Sequence, residues 1–362
     1  MKNTFNLAYF ISPHGFGHAA RASAVMNALH AAHRDFYFHI FTSVPEWFFK
    51  DSLNGQFKFH ELVTDVGLIQ SSSLSEDIPK TLDRLHHFYP LPIQFCDQLA
   101  LEINALDCQA ILCDIAPLGI EIAENAGLPS FLIENFTWDW IYEGYLNISK
   151  EFEPLIQILA KIFKKATFHI QAIPVCNPDS LASLSVSPIS RAPRTPRKLI
   201  HHKMHISDTQ KMVLITMGGV KEELSLLGAF KNHPRFVFVI PGSSDTIKIS
   251  GNTIHLPYHS NFYHPDLVYA ADAVIGKAGY STVSETYHAR KPFGFVNREH
   301  FREAPIIEDF IINEMNGIPL SQEDFHSGKW LLSLDSIINT SPLKHEATNG
   351  AQLIAEFVIN SL

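Results

Sequence analysis

Short apolar runs alternate along the chain with segments in which apolar residues recur at helical spacing. The runs predict buried strands, and the segments between them predict the crossover helices that parallel strands require. Predicted strands lie at residues 7–11, 36–42, 57–60, 110–114, 130–133, 168–170, 211–216, 236–240, 253–256, 273–275 and 293–296. Clear predicted helices lie at residues 19–29, 93–105 and 155–165. The alternation predicts an α/β protein built on parallel sheets.

A change of composition divides the strands into two groups. Residues 176–205 contain several prolines and a row of arginines, and they separate the last strand of one group from the first strand of the next. A length of 362 residues is enough for two domains that each bury a core. We therefore predict a first domain at residues 1–175, an interdomain linker at 176–205, a second domain at 206–345 and a C-terminal helix at 346–362.

Two histidines lie in a glycine turn that follows the first predicted strand. The turn reads His-Gly-Phe-Gly-His at residues 14–18 and lacks the third glycine of a dinucleotide-binding fingerprint. Imidazole is suited to take a proton from a hydroxyl near neutral pH when a carboxylate orients it. Asp114 ends a later strand of the same predicted sheet, so it lies on the same edge as this turn. It either orients His18 or His14, or it forms the N-cap of the helix that follows it.

The second predicted sheet has two comparable turns. A glycine pair, Gly218-Gly219, follows its first strand, and a turn through Gly279 follows a later one. Backbone N–H groups at such turns attract an anion such as a diphosphate, although a simple strand-to-helix turn is the alternative for each. We predict that the helix after the later turn begins at Ser281 or Thr282 and that Glu285 completes a capping box.

Two stretches resemble known families. Residues 272–285 (DAVIGKAGYSTVSE), followed by Lys291-Pro292, resemble the nucleotide-sugar site of GT-B glycosyltransferases, above all the C-terminal domain of the peptidoglycan N-acetylglucosaminyltransferases. Residues 14–21 (HGFGHAAR) resemble the glycosyltransferase-like half of plant arabinokinases. The resemblance implies a GT-B fold, in which two Rossmann-like domains with parallel sheets face a central cleft and a terminal helix crosses back to the first domain.

The resemblance also implies roles for individual residues. In inverting relatives the catalytic base is a histidine of the first turn, which here is His18 or His14, and Asp114 matches the aspartate that pairs with it. On the donor side, Glu285 matches the residue that holds the ribose. In relatives an acidic or amide residue after the strand at 293–296 contacts the donor sugar, and Glu303 or Glu299 would fill that role here. The families usually have an amide where this chain has Glu303. The implied donor-binding residues are Gly15, Gly17, Gly218, Gly219, Tyr258, Lys277, Gly279, Ser281, Thr282, Glu285, Glu299 and Glu303.

These features together predict an inverting, metal-independent glycosyltransferase. It would move a hexose-type sugar from a nucleotide-diphosphate donor, for which a UDP-sugar is the first expectation, to the hydroxyl of an acceptor that the sequence does not identify. No DxD motif indicates a divalent ion, and the nucleotide sugar is a substrate, so we expect no cofactor. One alternative is a non-catalytic protein that binds or senses sugar nucleotides. Another is a nucleotide-sugar 2-epimerase. Such an enzyme needs carboxylates around the sugar, and Glu299 and Glu303 are the residues that would provide them.

Composition narrows the range of partners and locations. The net charge of −9 disfavours a nucleic-acid surface, and 46% hydrophobic with 18% charged residues is typical of a globular protein. No apolar run approaches the roughly 20 residues of a spanning helix, and no signal peptide is evident, so we expect a cytoplasmic location. The four cysteines lack metal-binding spacing and predict buried thiols. The aromatic run at residues 47–49 belongs either to the core or to a peripheral membrane contact, and no oligomeric state is indicated.

Overall fold

The computed structural model describes residues 4–32, 35–72, 74–218, 227–343 and 348–362. Strands and helices alternate through two large sheets. The elements up to the middle of the chain are β1 (Phe5–Ile11), α1 (Phe16–Ala31), β2 (Phe36–Thr42), α2 (Glu46–Ser52), β3 (Phe57–Glu61), β4 (Gln70–Ser72), β5 (Ser75–Glu76), α3 (Ile78–Phe88), α4 (Ile93–Ala105), β6 (Cys108–Asp114), α5 (Pro117–Ala126), β7 (Ser130–Glu134), α6 (Trp138–Glu143), α7 (Phe152–Phe163), β8 (Phe168–Ala172), β9 (Leu184–Val186) and α8 (Arg197–Lys203). They are followed by β10 (Lys211–Thr216), α9 (Leu227–Phe230), β11 (Phe236–Pro241), β12 (Lys248–Ser250), β13 (Thr253–Leu256), α10 (His264–Ala270), β14 (Ala273–Lys277), α11 (Tyr280–Ala289), β15 (Phe293–Val296), α12 (Ala304–Met315), β16 (Ile318–Pro319), α13 (Gln322–Ser327), a 3₁₀ helix (Lys329–Ser333), α14 (Leu334–Asn339) and α15 (Gly350–Ser361).

The first sheet has the strand order β3-β2-β1-β6-β7-β8-β9, and all its strands are parallel. The strand order reverses between β1 and β6, and ligands of such sheets bind in the crevice at the carboxyl end of that pair. Ile11 pairs with Asp114, so the two strands end level with each other. The turn after β1 and the last residue of β6 therefore meet at one edge.

The second sheet has the order β12-β13-β11-β10-β14-β15-β16 and is parallel except for the β12–β13 pair. Its strand order reverses between β10 and β14, where Thr216 pairs with Gly276. The two sheets share the strand order of a Rossmann-like domain, since each begins at its centre, grows to one edge and then to the other. The predicted α/β architecture of two parallel-sheet domains is confirmed.

The segment predicted as an interdomain linker contains regular structure. Leu184–Val186 forms β9, which pairs with β8 and extends the first sheet past the predicted boundary at residue 175. The prediction that the strand at 168–170 is the last of its domain is therefore wrong, because β9 is only three residues long and its sequence carries no strong apolar run. Helix α8 follows in the same segment and packs against α10 of the second domain.

The C-terminal helix α15 packs against α1 and β9 of the first domain. The Phe357 ring meets Phe131 and Phe168 edge-on, at centroid distances of 6.3 and 5.4 Å. Just before this helix, the amide of Asn349 donates to the Ser190 carbonyl at 2.7 Å and accepts from the Ser190 N–H at 3.3 Å. The chain thus passes between the domains twice, at two adjacent places.

Two further sequence predictions concern membranes and thiols. Across the described ranges, no helix combines the length and the apolar character that a membrane span needs. The cysteines are buried free thiols, as predicted: Cys96, Cys108, Cys113 and Cys176.

Candidate active site

The first helix and the end of β6 bring a histidine and an aspartate together. His18 lies in the first turn of α1 and is 8% exposed, and Asp114 is fully buried. The Nδ1 atom of His18 is 2.9 Å from Oδ1 of Asp114, and we call this pair the dyad. The N-cap of α5 is Ala116, so the alternative in which Asp114 caps that helix is wrong. With Nδ1 held by the carboxylate, Nε2 of His18 is the nitrogen that can accept a proton.

Arg21 is a third member of this cluster that the sequence analysis missed. Its Nε donates to Oδ2 of Asp114 at 2.8 Å, and one terminal nitrogen donates to Oδ1 at 2.6 Å. The other terminal nitrogen donates to Oδ1 of Asn135 at 2.7 Å. Asn135 in turn donates from Nδ2 to Oε1 of Glu303 at 2.6 Å. An arginine three residues after a site histidine, on a helix of small apolar residues, is the signal that could have revealed it.

Burial and charge set the protonation states of the dyad. Burial lowers the pKa of His18, and the positive charge of Arg21 lowers it further, although the bond to Asp114 opposes both effects. Burial alone would raise the pKa of Asp114, but Arg21 and His18 outweigh it and hold that pKa below its ordinary value. At neutral pH the dyad is therefore a neutral imidazole beside an ionised carboxylate. This is the state from which a histidine accepts a proton.

His14 lies beside the dyad but has a different environment. Its Nδ1 accepts a long hydrogen bond of 3.4 Å from the Leu68 N–H, and its ring stands edge-on to Trp138 at 5.2 Å. Burial lowers the pKa of His14 well below its ordinary value, and nearby positive charges, first that of Arg298, add to this. No described carboxylate orients His14, whereas Asp114 orients His18. Of the two candidate bases, His18 has the geometry that the sequence analysis required.

The two glycine turns of the two domains approach each other across the cleft. Gly15 has φ +71 and Gly218 has φ +69, values that favour glycine. A Cβ atom on Gly15 would lie 3.9 Å from the Gly218 carbonyl oxygen, and one on Gly17 would lie 3.7 Å from Oγ of Ser281. The two turns therefore lie within van der Waals reach of each other across the cleft.

A cavity of about 660 Å³, the histidine cavity, lies between these turns. Its first-domain wall carries the base candidates, and its second-domain wall carries the turn after β14. The sequence-predicted site residues that line it are His14, Gly15, Gly17, His18, Gly218, Lys277, Gly279, Ser281, Thr282 and Glu303. Lining residues that the sequence analysis did not name as site residues include Arg21, Asn135 and Arg298.

The helix after this turn starts earlier than predicted. α11 begins at Tyr280 with Gly279 as its N-cap, and no side chain caps it. The predicted capping box is therefore wrong: Ser281 and Thr282 already lie within the first turn, and Glu285 is too far along the helix to reach back. The Tyr280 ring is fixed in the domain interface, where the Arg21 guanidinium lies 4.9 Å from its centroid. The free N–H groups of this helix start line the cavity and suit an anion.

Glu285, predicted to hold the donor ribose, is already engaged by protein groups. Its Oε1 accepts from Nε of Arg191 at 3.0 Å and from a terminal nitrogen of the same guanidinium at 2.9 Å. Its Oε2 is 2.9 Å from Nδ1 of His264. Arg191 also donates to Oγ of Ser52 in the first domain at 3.1 Å. Glu285 lines neither cavity of the cleft, whereas Arg191 and His264 do, so its ribose contact stays a prediction.

A second cavity of about 900 Å³, the aromatic cavity, continues from the first. The two share Phe16, Gly17, Gly218, Ser281 and Thr282. Tyr258, one of the predicted donor-binding residues, lines this cavity. Trp47 also lines it and stacks on His259 at 4.8 Å. Phe48 and Phe49 are buried and Trp47 is half-buried at the cleft, so the structure favours the core alternative for the aromatic run at 47–49.

Besides Glu285, one other described residue among the predicted donor residues lines neither cavity. Glu299 is exposed and lines neither cavity, so of the two glutamates only Glu303 reaches the site. Gly219 lies outside the described residues. Within the described ranges, no group of three His, Cys, Asp or Glu side chains could hold a metal ion.

Comparison with known proteins gives one sequence relative and many similar structures. No protein-family model matches the chain. The L-arabinokinase of Arabidopsis thaliana is 25% identical over 355 residues, which cover 97% of this chain and 34% of that protein. The chain thus spans about a third of the length of the curated relative that it matches.

Solved structures match over nearly the whole chain. UGT71G1 of Medicago truncatula, complexed with UDP-glucose, has a TM-score of 0.64 at 12% identity and covers 100% of this chain and 99% of its own. MurG of Acinetobacter baumannii has a TM-score of 0.55 at 15% identity, with coverages of 98% and 99%. The spinosyn forosaminyltransferase SpnP has a TM-score of 0.60 at 14% identity, with coverages of 99% and 94%. The chain has the GT-B fold. In this GT-B chain, the dyad and the turn after β14 face each other, and each lies where the strand order of its sheet reverses.

Proposed function

We propose that the chain is an inverting glycosyltransferase that uses a nucleotide-diphosphate sugar. One observation carries the proposal: a buried histidine held by an aspartate shares a single cavity with the start of α11 and with Lys277. A base and an anion site on opposite domains are what transfer of a sugar from a diphosphate to a hydroxyl needs. The match to the L-arabinokinase of Arabidopsis thaliana covers a third of that protein and supports no activity by itself.

The two cavities suit the parts of such a donor. The aromatic cavity, with Tyr258 and Trp47, suits the nucleoside. The shared wall at Gly218, Ser281 and Thr282 suits the diphosphate, because backbone N–H groups converge there. The histidine cavity then receives the sugar beside Glu303. A UDP-sugar is our first choice of donor, since UGT71G1 was solved with UDP-glucose.

The proposed reaction assigns one step to each wall of the cleft. Nε2 of His18 takes the proton from the acceptor hydroxyl, and Asp114 stabilises the imidazolium that forms. The acceptor oxygen attacks the anomeric carbon on the face away from the diphosphate, so the configuration inverts. The bond to the diphosphate oxygen breaks, and Lys277 with the N–H groups of α11 stabilises the charge that develops there. These groups supply positive charge without a divalent ion.

The two alternatives differ in what the site must contain. A binding or sensing protein needs the donor cavities but no oriented base, so the His18–Asp114 geometry disfavours it. A 2-epimerase needs several carboxylates around the sugar. Glu303 is the only Asp or Glu among the described residues that line the histidine cavity, which disfavours an epimerase.

Calorimetric titration tests the proposal with UDP, GDP, TDP and their sugar conjugates, in buffer containing a chelator. We expect micromolar binding of one nucleotide family by the wild type and by His18→Gln. With the donor so identified, transfer to a panel of acceptors is expected to fall by about 10²–10⁴-fold in His18→Gln. His202→Gln, at an exposed position, is the matched control. Absence of binding by every nucleotide would contradict the donor site, and full activity of His18→Gln would contradict the base.

A further inference from the structure

A continuous chain of hydrogen bonds connects the dyad with the second domain. It runs from His18 to Asp114, from Asp114 to Arg21, from Arg21 to Asn135 and from Asn135 to Glu303, with donor–acceptor distances of 2.6 to 2.9 Å. All five residues are at least nine-tenths buried. We call the part from Arg21 through Asn135 to Glu303 the cross-cleft bridge. The mechanism proposed above uses the two ends of this chain and not its middle.

The amide of Asn135 can make this connection in only one orientation. Its oxygen accepts from Arg21, which is a pure donor, and its nitrogen donates to Glu303. If the amide were flipped, its N–H groups would face the guanidinium and its oxygen would face the carboxylate. Arg21 therefore determines that Asn135 presents a donor to Glu303. One carboxylate oxygen of Glu303 is fixed in this way at the wall of the histidine cavity.

Arg21 also contacts the dyad, through Asp114. A terminal nitrogen of Arg21 and Nδ1 of His18 bond to the same oxygen of Asp114. The carboxylate that stabilises an imidazolium is thus shared with a permanent cation. Other titratable or charged groups around the dyad include His14 in the preceding turn, Tyr9 on β1 and, on the second-domain wall of the same cavity, Lys277, Tyr280, Arg298 and Glu303. Arg21 is the cation bonded directly to the dyad.

We propose that Arg21 and Asn135 are positioning residues that couple the general base to the contact with the donor sugar across the cleft. This inference rests on the proposed function, which assigns His18 the role of general base and Glu303 the contact with the donor sugar. Burial and the charge of Arg21 together keep His18 neutral, and the bond from Arg21 to Asn135 holds Glu303 in place for a sugar hydroxyl. Because the cross-cleft bridge connects the dyad to Glu303, His18 is aligned when the second domain packs against the first.

The first experiment measures the titration of His18 by NMR of histidine side chains and needs no activity. His18→Gln assigns the resonance among the 20 histidines. Arg21→Gln removes the cation, and we expect the pKa of His18 to rise by about one pH unit or more. Arg21→Lys keeps the charge, and we expect that pKa to stay close to the wild-type value. Arg84→Gln, at an exposed position on α3, is the matched control.

The outcomes of this experiment separate a tuning role from a purely structural one. An unchanged His18 pKa in folded Arg21→Gln would overturn the inference. If Arg21→Gln does not fold, Arg21→Lys decides. A His18 pKa near the wild-type value together with weakened sugar-nucleotide binding supports the coupling. A displaced pKa, or unchanged binding, overturns it.

The second experiment compares two ligands by calorimetry: the sugar nucleotide that the wild type binds and the same nucleoside diphosphate without sugar. Asn135→Asp replaces the donor to Glu303 with a carboxylate while Arg21 keeps an acceptor. We expect at least about a tenfold loss of affinity for the sugar nucleotide and little change for the diphosphate. Equal losses for both ligands, or no loss, would overturn the inference. Asn147→Asp, at an exposed position, is the control. If the wild type binds no nucleotide, the proposed function fails, and the titration of His18 still tests the coupling.

Discussion

The buried pair of Asp114 and Arg21 makes a strong prediction about stability. Asp114→Asn removes one charge and keeps the shape of the side chain. It leaves the guanidinium of Arg21, which is 1% exposed, without its counter-charge. The carboxylate accepts two hydrogen bonds from Arg21 and pairs with His18, so the substitution weakens three close contacts at once.

The expected cost follows from the burial of both partners. Breaking a buried ion pair by removing one partner costs about 3–5 kcal/mol, because the other charge remains buried and uncompensated. For a domain of this size that corresponds to a fall in the melting temperature of roughly 6–20 °C. Asp83→Asn on α3, where the aspartate side chain is 70% exposed, should cost less than about 0.5 kcal/mol.

The pH dependence of this effect has a definite sign. Arg21 and His18 hold the pKa of Asp114 below its ordinary value against the opposing effect of burial. The pair therefore stabilises the protein fully above the unfolded-state pKa of about 3.9, and this contribution is lost as the pH falls through the lower folded-state pKa. The part of the difference between the wild type and Asp114→Asn that comes from ionisation of Asp114 itself should be constant from pH 7 to about pH 5 and should shrink in stronger acid.

Urea denaturation of four proteins measures the effect: the wild type, Asp114→Asn, Arg21→Met and the double variant. The double variant should lose less than the sum of the single variants, because it contains neither buried charge. A cost below about 1 kcal/mol for Asp114→Asn, or strict additivity of the two substitutions, would refute the reasoning.

Three further predictions concern other parts of the molecule. Gly218→Ala should weaken donor binding at least about tenfold in calorimetry, because φ is +69 there and the added Cβ would lie 3.1 Å from the neighbouring lysine side chain; an unchanged affinity would contradict the donor position. Burial lowers the pKa of His169, but bonds to Glu134 and Asp179 outweigh burial and raise that pKa. The ion pairs of protonated His169 therefore stabilise the protein fully below about pH 6.5, and this stabilisation is lost as the pH rises through the folded-state pKa. The free energies of unfolding of His169→Asn and the wild type, measured in urea, should differ less at pH 9 than at pH 6. Glu285→Gln should destabilise the protein by about 3 kcal/mol, because it leaves a buried arginine without its carboxylate; a loss below about 1 kcal/mol in thermal melts would show that the pair is not buried in solution.

The proximity of His18 and Asp114 could be predicted from the sequence, because it depends only on strand order and on where β1 and β6 end. Glu303 and the glycine turns could be placed by resemblance. Arg21 and Asn135 were missed, because their importance depends on a partner about a hundred residues away along the chain. No pattern within a single helix or turn encodes such a partner.

The errors at the start of α11 and at β9 have a common cause. Local hydroxyls made Ser281 the better cap, but Tyr280 packs at the domain interface and the helix begins there, with its N-cap at Gly279, two residues before Ser281. β9 is a strand because β8 offers it a free edge, and its three residues carry too little pattern to indicate this. In each case a tertiary contact overrides a weak local preference.

The two places where the chain passes between the domains lie side by side, at Ser190 and at Asn349. Asn349 and Ser190 bond the passages to each other, and the N–H of Gly350 donates to the Pro188 carbonyl at 3.2 Å. Two tethers fastened side by side restrict the domains to rotation about an axis near that point. Such a rotation would separate the interdomain pair of Asn135 and Glu303 while the dyad, which lies wholly in the first domain, stays intact. If the proposed function holds and the domains rotate apart to admit a nucleotide sugar, rupture of the Asn135–Glu303 bond would accompany that rotation.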